Sequence, residues 1–131
     1  MSVTVKIGDM FESECQTLVN TVNCVGVMGK GIAAEFKKRY PEMYKEYKSR
    51  CDAHQVRLGE PYLYTDMLGN SVLMFPTKDH WRASSRLADI DSGLDHLIAH
   101  YQDWGHSKYC NATFGLWQWW FGMVYCRAVD V

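Results

Sequence analysis

Between Asn20 and Gly31 the chain reads Asn-Thr-Val-Asn-Cys-Val-Gly-Val-Met-Gly-Lys-Gly, with Gly26, Gly29 and Gly31 falling within six residues. Such a run has no place inside a helix or strand, because each glycine carries backbone freedom that a regular element must remove. The residues before it, 16–22, are β-rich, and those after it, Ile32, Ala33, Phe36 and Tyr40, recur at helical spacing. The segment is therefore a strand-to-helix turn. Its backbone N–H groups can face inward with no Cβ in the way, towards the positive end of the following helix. That is a seat for an anion such as a diphosphate, formed by Val25, Gly26, Val27, Met28, Gly29, Lys30, Gly31 and Ile32. The spacing matches neither the P-loop nor G-x-G-x-x-G, so it implies neither nucleoside triphosphate nor Rossmann dinucleotide binding.

The rest of the chain supplies an α/β setting for this turn. Residues 3–7 alternate as a strand, Pro41-Glu42 restarts a helix running to Arg50, and Tyr62-Leu63-Tyr64 and Ser71 to Phe75 read as further strands. Leu87, Ile90, Leu94, Leu97, Ile98 and Tyr101 mark the longest amphipathic helix. Strands alternating with helices through short loops predict one α/β domain over residues 1–131, with helices on both faces of the sheet. No apolar run approaches the roughly 18 residues of a membrane span, and the N-terminus lacks a signal-peptide pattern, so a cytoplasmic location without membrane contact is expected. Five irregularly spaced cysteines, with no Cys-x-x-Cys, read as reduced thiols. The histidines lack metal-ligand spacing, so neither a metal nor a cofactor is expected. A net charge of −1 gives no long-range attraction to nucleic acid, and Lys37-Lys38-Arg39 reads as a solvated helix face. A nucleic-acid substrate must be held by local contacts.

A second constellation, Phe75-Pro-Thr77-Lys78-Asp-His80-Trp81-Arg82, follows directly on an apolar strand. A lysine at a strand end, flanked by proline and aromatics that exclude water, can act as nucleophile or acid with a lowered pKa. On spacing alone it also fits a surface lysine beside a packed tryptophan.

Taken together, these residues resemble the macrodomain family, whose members bind ADP-ribose in a three-layer α/β/α fold with a mixed sheet. Gly8-Asp9-Met10 looks like the family's adenine-end motif, with Asp9 accepting from the exocyclic amine. Phe-Pro-Thr-Lys-x-His-Trp, Arg57-Leu-Gly-Glu-Pro-Tyr and Ser85-Arg86-Leu-x-Asp-Ile are similar to the branch that includes the DarG antitoxins. These remove ADP-ribose from thymine bases in DNA. The resemblance implies Lys78 as the catalytic residue, with Asn20 and Asn23 orienting the distal ribose or its attacking water, or else capping the loop. Thr77, His80 and Trp81 would line the ligand site. It also implies ADP-ribose or ADP-ribosylated DNA as ligand and a cognate ADP-ribosyltransferase toxin as partner. A non-catalytic ADP-ribose-binding module, or a hydrolase of ADP-ribosylated protein or O-acetyl-ADP-ribose, stays open.

After Gly105 the resemblance stops. A second glycine-rich phosphate loop belongs there, but the chain presents an apolar run in which Trp117, Trp119 and Trp120 crowd together. Tryptophan has one codon, TGG, so a frame displaced by one base turns each of the three into glycine and turns Met123-Val124 into a tryptophan codon. With synonymous codons chosen accordingly, residues 106–123 then read Ile-Ala-Asn-Ile-Ala-Met-Pro-Pro-Leu-Gly-Cys-Gly-Asn-Gly-Gly-Leu-Glu-Trp, like the missing strand and loop. The expectation is a single-base insertion near codons 105–106, real or a sequencing error, the alternative being a divergent hydrophobic C-terminus that forms a partner-binding strand. The chain as translated would then be an incomplete macrodomain that binds ADP-ribose weakly and tends to self-associate.

Overall fold

The computed structural model describes residues 2–9, 11, 17–105, 108–112 and 121–128, with side chains at 11 and 17–105. The N-terminal alternation forms β1 (Ser2–Asp9), and the β-rich run before the glycines forms β2 (Thr17–Asn23). Helix α1 (Gly31–Arg39) follows the glycine turn. Pro41 sits in the first turn of α2 (Pro41–Asp52), where its missing N–H has no helical partner to lose. Strands β3 (Tyr62–Thr65) and β4 (Ser71–Lys78) form a hairpin, and the amphipathic run becomes α3 (Leu87–Trp104). Past Gly105, where the sequence pattern offered no element, the backbone adds β5 (Lys108–Ala112) and β6 (Phe121–Ala128).

The six strands make one mixed sheet in the order β1-β6-β5-β2-β4-β3. Strand β2 runs parallel to both β4 and β5, while the β1/β6, β5/β6 and β3/β4 pairs are antiparallel. Eight residues separate β5 from β6, too few for the dozen or so that a parallel crossover needs, so that pair is antiparallel.

Period-2 alternation sorts the strand side chains into two cores. Leu18 and Val22 of β2 and Val72 and Met74 of β4 pack against Phe36, Met43, Tyr47 and Cys51 of α1 and α2. The intervening Val19, Leu73 and Phe75 pack against Leu97 and Tyr101 of α3. These are the three layers expected of the fold. Because both faces of β4 are covered, Ser71 to Thr77 are all buried, and the strand reads as a continuous run rather than an alternation. Helix α3 approaches β4 at Gly93, where an added Cβ would stand 2.4 Å from Phe75 Cζ. No helix among the described residues is long and apolar enough to cross a membrane.

Candidate functional site

The pairings place four strand ends on one edge. Since β4 and β5 run with β2, and β1 is antiparallel to β6, which is antiparallel to β5, the carboxyl ends of β1, β5, β2 and β4 point the same way. Those ends are Asp9, Ala112, Asn23 and Lys78. In sheets of this kind ligands sit outside the carboxyl ends of the parallel strands. Gly8 and Asp9 are described as backbone, paired with Gly122 and Phe121, and Met10 lies outside the described residues, as do residues 113–120 with their three tryptophans.

At the end of β2 the register with β4 shifts between Val22 and Asn23, so Asn23 pairs with Lys78. The shift turns the Asn23 side chain into the glycine turn, which it organises. Its Oδ1 accepts from the backbone N–H groups of Val25 (3.1 Å), Gly26 (3.1 Å) and Val27 (3.3 Å), and its Nδ2 donates to Val27 O at 2.8 Å. The Tyr47 hydroxyl on α2 lies 2.7 Å from Asn23 O and 2.8 Å from Oδ1, and the Tyr44 hydroxyl donates to Gly26 O at 3.1 Å. Gly26 (φ 88°) and Gly31 (φ 60°) take up left-handed conformations that a side chain would strain. The turn is thus shaped by one asparagine and two tyrosines.

Asn20 has a different setting. Its side chain is fully buried, with Nδ2 at 3.9 Å from both Met28 Sδ and Met74 Sδ and with no hydrogen-bond partner for Oδ1. Met28 is buried above it, whereas Val25, Val27, Gly29 and Lys30 are exposed along the turn. Ile32 is half-buried against the α1/α2 core.

The turn's electrostatics suit an anion. Residues 23–31 contain no acidic side chain, the first turn of α1 has none, and its N-cap Lys30 makes no side-chain cap. Burial, followed by the Asp79 charge, pushes the Cys24 thiol up to about 11, and burial raises the Tyr47 phenol far above its usual range. Both stay neutral around pH 7. The basic cluster belongs to the other end of α1. Lys37, Lys38 and Arg39 occupy its last turn, with Lys37 4.3 Å over the Tyr44 ring and Arg39 bonded to Glu35.

The glycine turn and the lysine motif are tied together directly, Cys24 N donating to Asp79 O at 3.1 Å. Thr77 is buried at the end of β4, Lys78 is half-buried, and His80 and Trp81 are exposed on the turn that follows. Sequence reasoning missed Tyr44 and Tyr47, whose helical spacing reads as core and conceals the reach of their hydroxyls, and it included Arg82 in the lysine motif without a role; Arg82 lies over Trp81. Among the described residues no three His, Cys, Asp or Glu side chains gather to hold a metal ion.

Comparison with known proteins agrees with this geometry. The Macro domain family profile matches residues 19–110. A DNA ADP-ribosyl glycohydrolase of Mycobacterium tuberculosis is 50% identical over 99 residues, covering 73% of this chain and 28% of that protein. The solved macrodomain of Mycobacterium tuberculosis DarG superposes with a TM-score of 0.72 at 46% identity, covering 76% of this chain and 68% of that one. Thermosipho africanus DarTG in complex with ADP-ribose gives 0.76 at 36% identity, covering 82% of this chain and 32% of that one. The chain spans 28% to 30% of the length of the curated glycohydrolase relatives it matches. With the glycine turn, the sheet order and these matches in agreement, the chain belongs to the Macro domain family, and its likeness within that family is to the macrodomains of DarG.

Proposed function

We propose that this chain is the macrodomain of a DNA ADP-ribosyl glycohydrolase, binding ADP-ribose along the carboxyl edge of the sheet and acting on its bond to a thymine base. The observation that carries this reading is the alignment of strand ends. From β1 to β4 the edge spans four strand spacings, about 19 Å, room to lay out adenosine, diphosphate and distal ribose in line. Asp9 at β1 would take the adenine, with Gly8 and Met10 beside it. The glycine turn and the uncapped N-terminus of α1 would take the diphosphate. The distal ribose then falls next to Lys78, on the strand neighbouring Asn23.

Cleaving an N-glycosidic bond places positive charge on the sugar in the transition state. Lys78 serves there as proton donor to the departing base or as the amine that traps the anomeric carbon. Asn20 supplies an acceptor, Oδ1, without a partner, a state that costs about 1–3 kcal/mol in a buried group and that a ribose hydroxyl reaching it would relieve. Asn23 acts by holding the turn. A DNA substrate places the protein in the cytoplasm, and such a bond requires an ADP-ribosyltransferase to make it, the partner this reading implies.

The test is Lys78→Ala with two readouts, on the chain carrying a restored second loop. Release of ADP-ribose from ADP-ribosylated thymidine oligonucleotides should fall by about 10²–10⁴-fold while ADP-ribose binding persists. Unchanged release would remove Lys78 from the chemistry, and activity confined to ADP-ribosylated protein would remove DNA as the substrate.

We infer further that the coding frame is displaced by one base near codons 105–106. Two observations support this. The family match ends at residue 110, and β5 ends at Ala112, on the ligand edge, where the displaced reading passes from a strand to Pro-Pro-Leu-Gly. The gene's nucleotide sequence tests it: a displaced frame that fails to encode the glycine loop rules the insertion out.

A further inference from the structure

The turn after β4 carries three flat groups side by side. Trp81 is 41% exposed, far more than a tryptophan placed for packing. The His80 ring stacks on it with centroids 5.3 Å apart and 30° between planes, and the Arg82 guanidinium lies 4.4 Å over its ring. The turn is fixed from within, since Ala83 N donates to His80 O at 2.9 Å and Arg82 N donates to His80 Nδ1 at 3.2 Å. The second bond makes Nδ1 an acceptor. Arg39 and Arg50 also cover aromatic rings, but each is paired with a carboxylate, Glu35 and Glu46. Among the described residues no carboxylate pairs with Arg82. The turn therefore presents exposed aromatic rings together with a planar cation that no described carboxylate meets, two to four residues beyond Lys78.

That combination matches one class of ligand. Single-stranded nucleic acid is held by bases stacking on aromatic or guanidinium planes while nearby cations meet the phosphates. An enzyme acting on a base also needs that base out of the duplex or already single-stranded. We propose that the His80-Trp81-Arg82 stack is a platform on which the unpaired base of the nucleotide flanking the modified base stacks. This proposal rests on the glycohydrolase reading for its substrate, but its test does not depend on turnover.

The test is fluorescence anisotropy of the 131-residue chain with a labelled, unmodified single-stranded thymidine oligonucleotide at low salt. Trp81→Ala should weaken binding by about 5- to 150-fold, Trp81→Phe should keep most of it, and Arg82→Ala should weaken it and reduce the salt slope by about one ion. Far-UV circular dichroism of each variant confirms that the fold is retained. Equal affinity of wild type and Trp81→Ala would overturn the proposal, as would duplex DNA or an acidic peptide binding as tightly as the single strand. Failure of the glycohydrolase reading shows elsewhere, in ADP-ribose release that does not depend on Lys78, whatever the oligonucleotide does.

Discussion

Asn20 and Asn23 share a strand, a residue type and a place in the sequence motif, yet the fold gives them opposite surroundings. The register shift between Val22 and Asn23 turns the second into the glycine turn, where its carboxamide meets three N–H groups, a carbonyl and the Tyr47 hydroxyl. The first stays in the α1/α2 core with an acceptor unmet. The glycines and the paired asparagines were legible in the sequence because they break any regular period. The division of labour was not, because a one-residue shift leaves no mark in residue type. A prediction follows at this scale. Asn23→Ala strands the turn's N–H groups and should cost about 2–4 kcal/mol, whereas Asn23→Asp keeps the acceptor for those N–H groups, loses the donor to Val27 O, and should cost less. The aspartate nevertheless places a negative charge inside the anion seat, so in the chain carrying the restored second loop it should abolish ADP-ribose binding while the protein still folds. Urea melts and ligand titration, run together, separate the two effects.

At the scale of elements, α3 and β4 were readable because helical periodicity and a long apolar run are both strong signals. What the sequence did not disclose is how closely they pack. Gly93 lies mid-helix, where glycine is unfavourable, and its reason is the Phe75 ring, within 2.4 Å of any added Cβ. Gly93→Ala should therefore destabilise the chain by about 1–3 kcal/mol despite its better helix propensity. The measurement is the urea midpoint, and a stabilised variant would show that β4 and α3 separate easily. Strands β5 and β6 escaped detection for another reason. Their run from Lys108 carries no clean alternation and departs from the family pattern, while the sheet accepts its backbone beside β2 and β1.

Over the whole molecule, the layers and sheet order emerge from local patterns, and the site emerges from topology. Asp9, Asn23 and Lys78 are far apart in sequence and meet on one edge only because β1, β2 and β4 run the same way. Motif resemblance named these residues; strand direction brings them to one edge. The same edge receives the end of β5, where a second glycine loop is due and the translated sequence has Trp117, Trp119 and Trp120. Calorimetric titration of the translated chain with ADP-ribose should accordingly show weak binding or none, and restoring the displaced frame should recover it. Micromolar affinity in the translated chain would mean that the first turn suffices.

The turn between β2 and α1 is held by side chains of the protein itself, Asn23, Tyr44 and Tyr47. On the proposed reading this frame meets reactant and product alike, since the diphosphate is the same before and after the base departs. Nothing in that half of the site favours letting go. If the chain acts as proposed, selectivity for attached over released ADP-ribose rests on the β4 turn and the DNA strand, and departure of the free sugar nucleotide is the slow step.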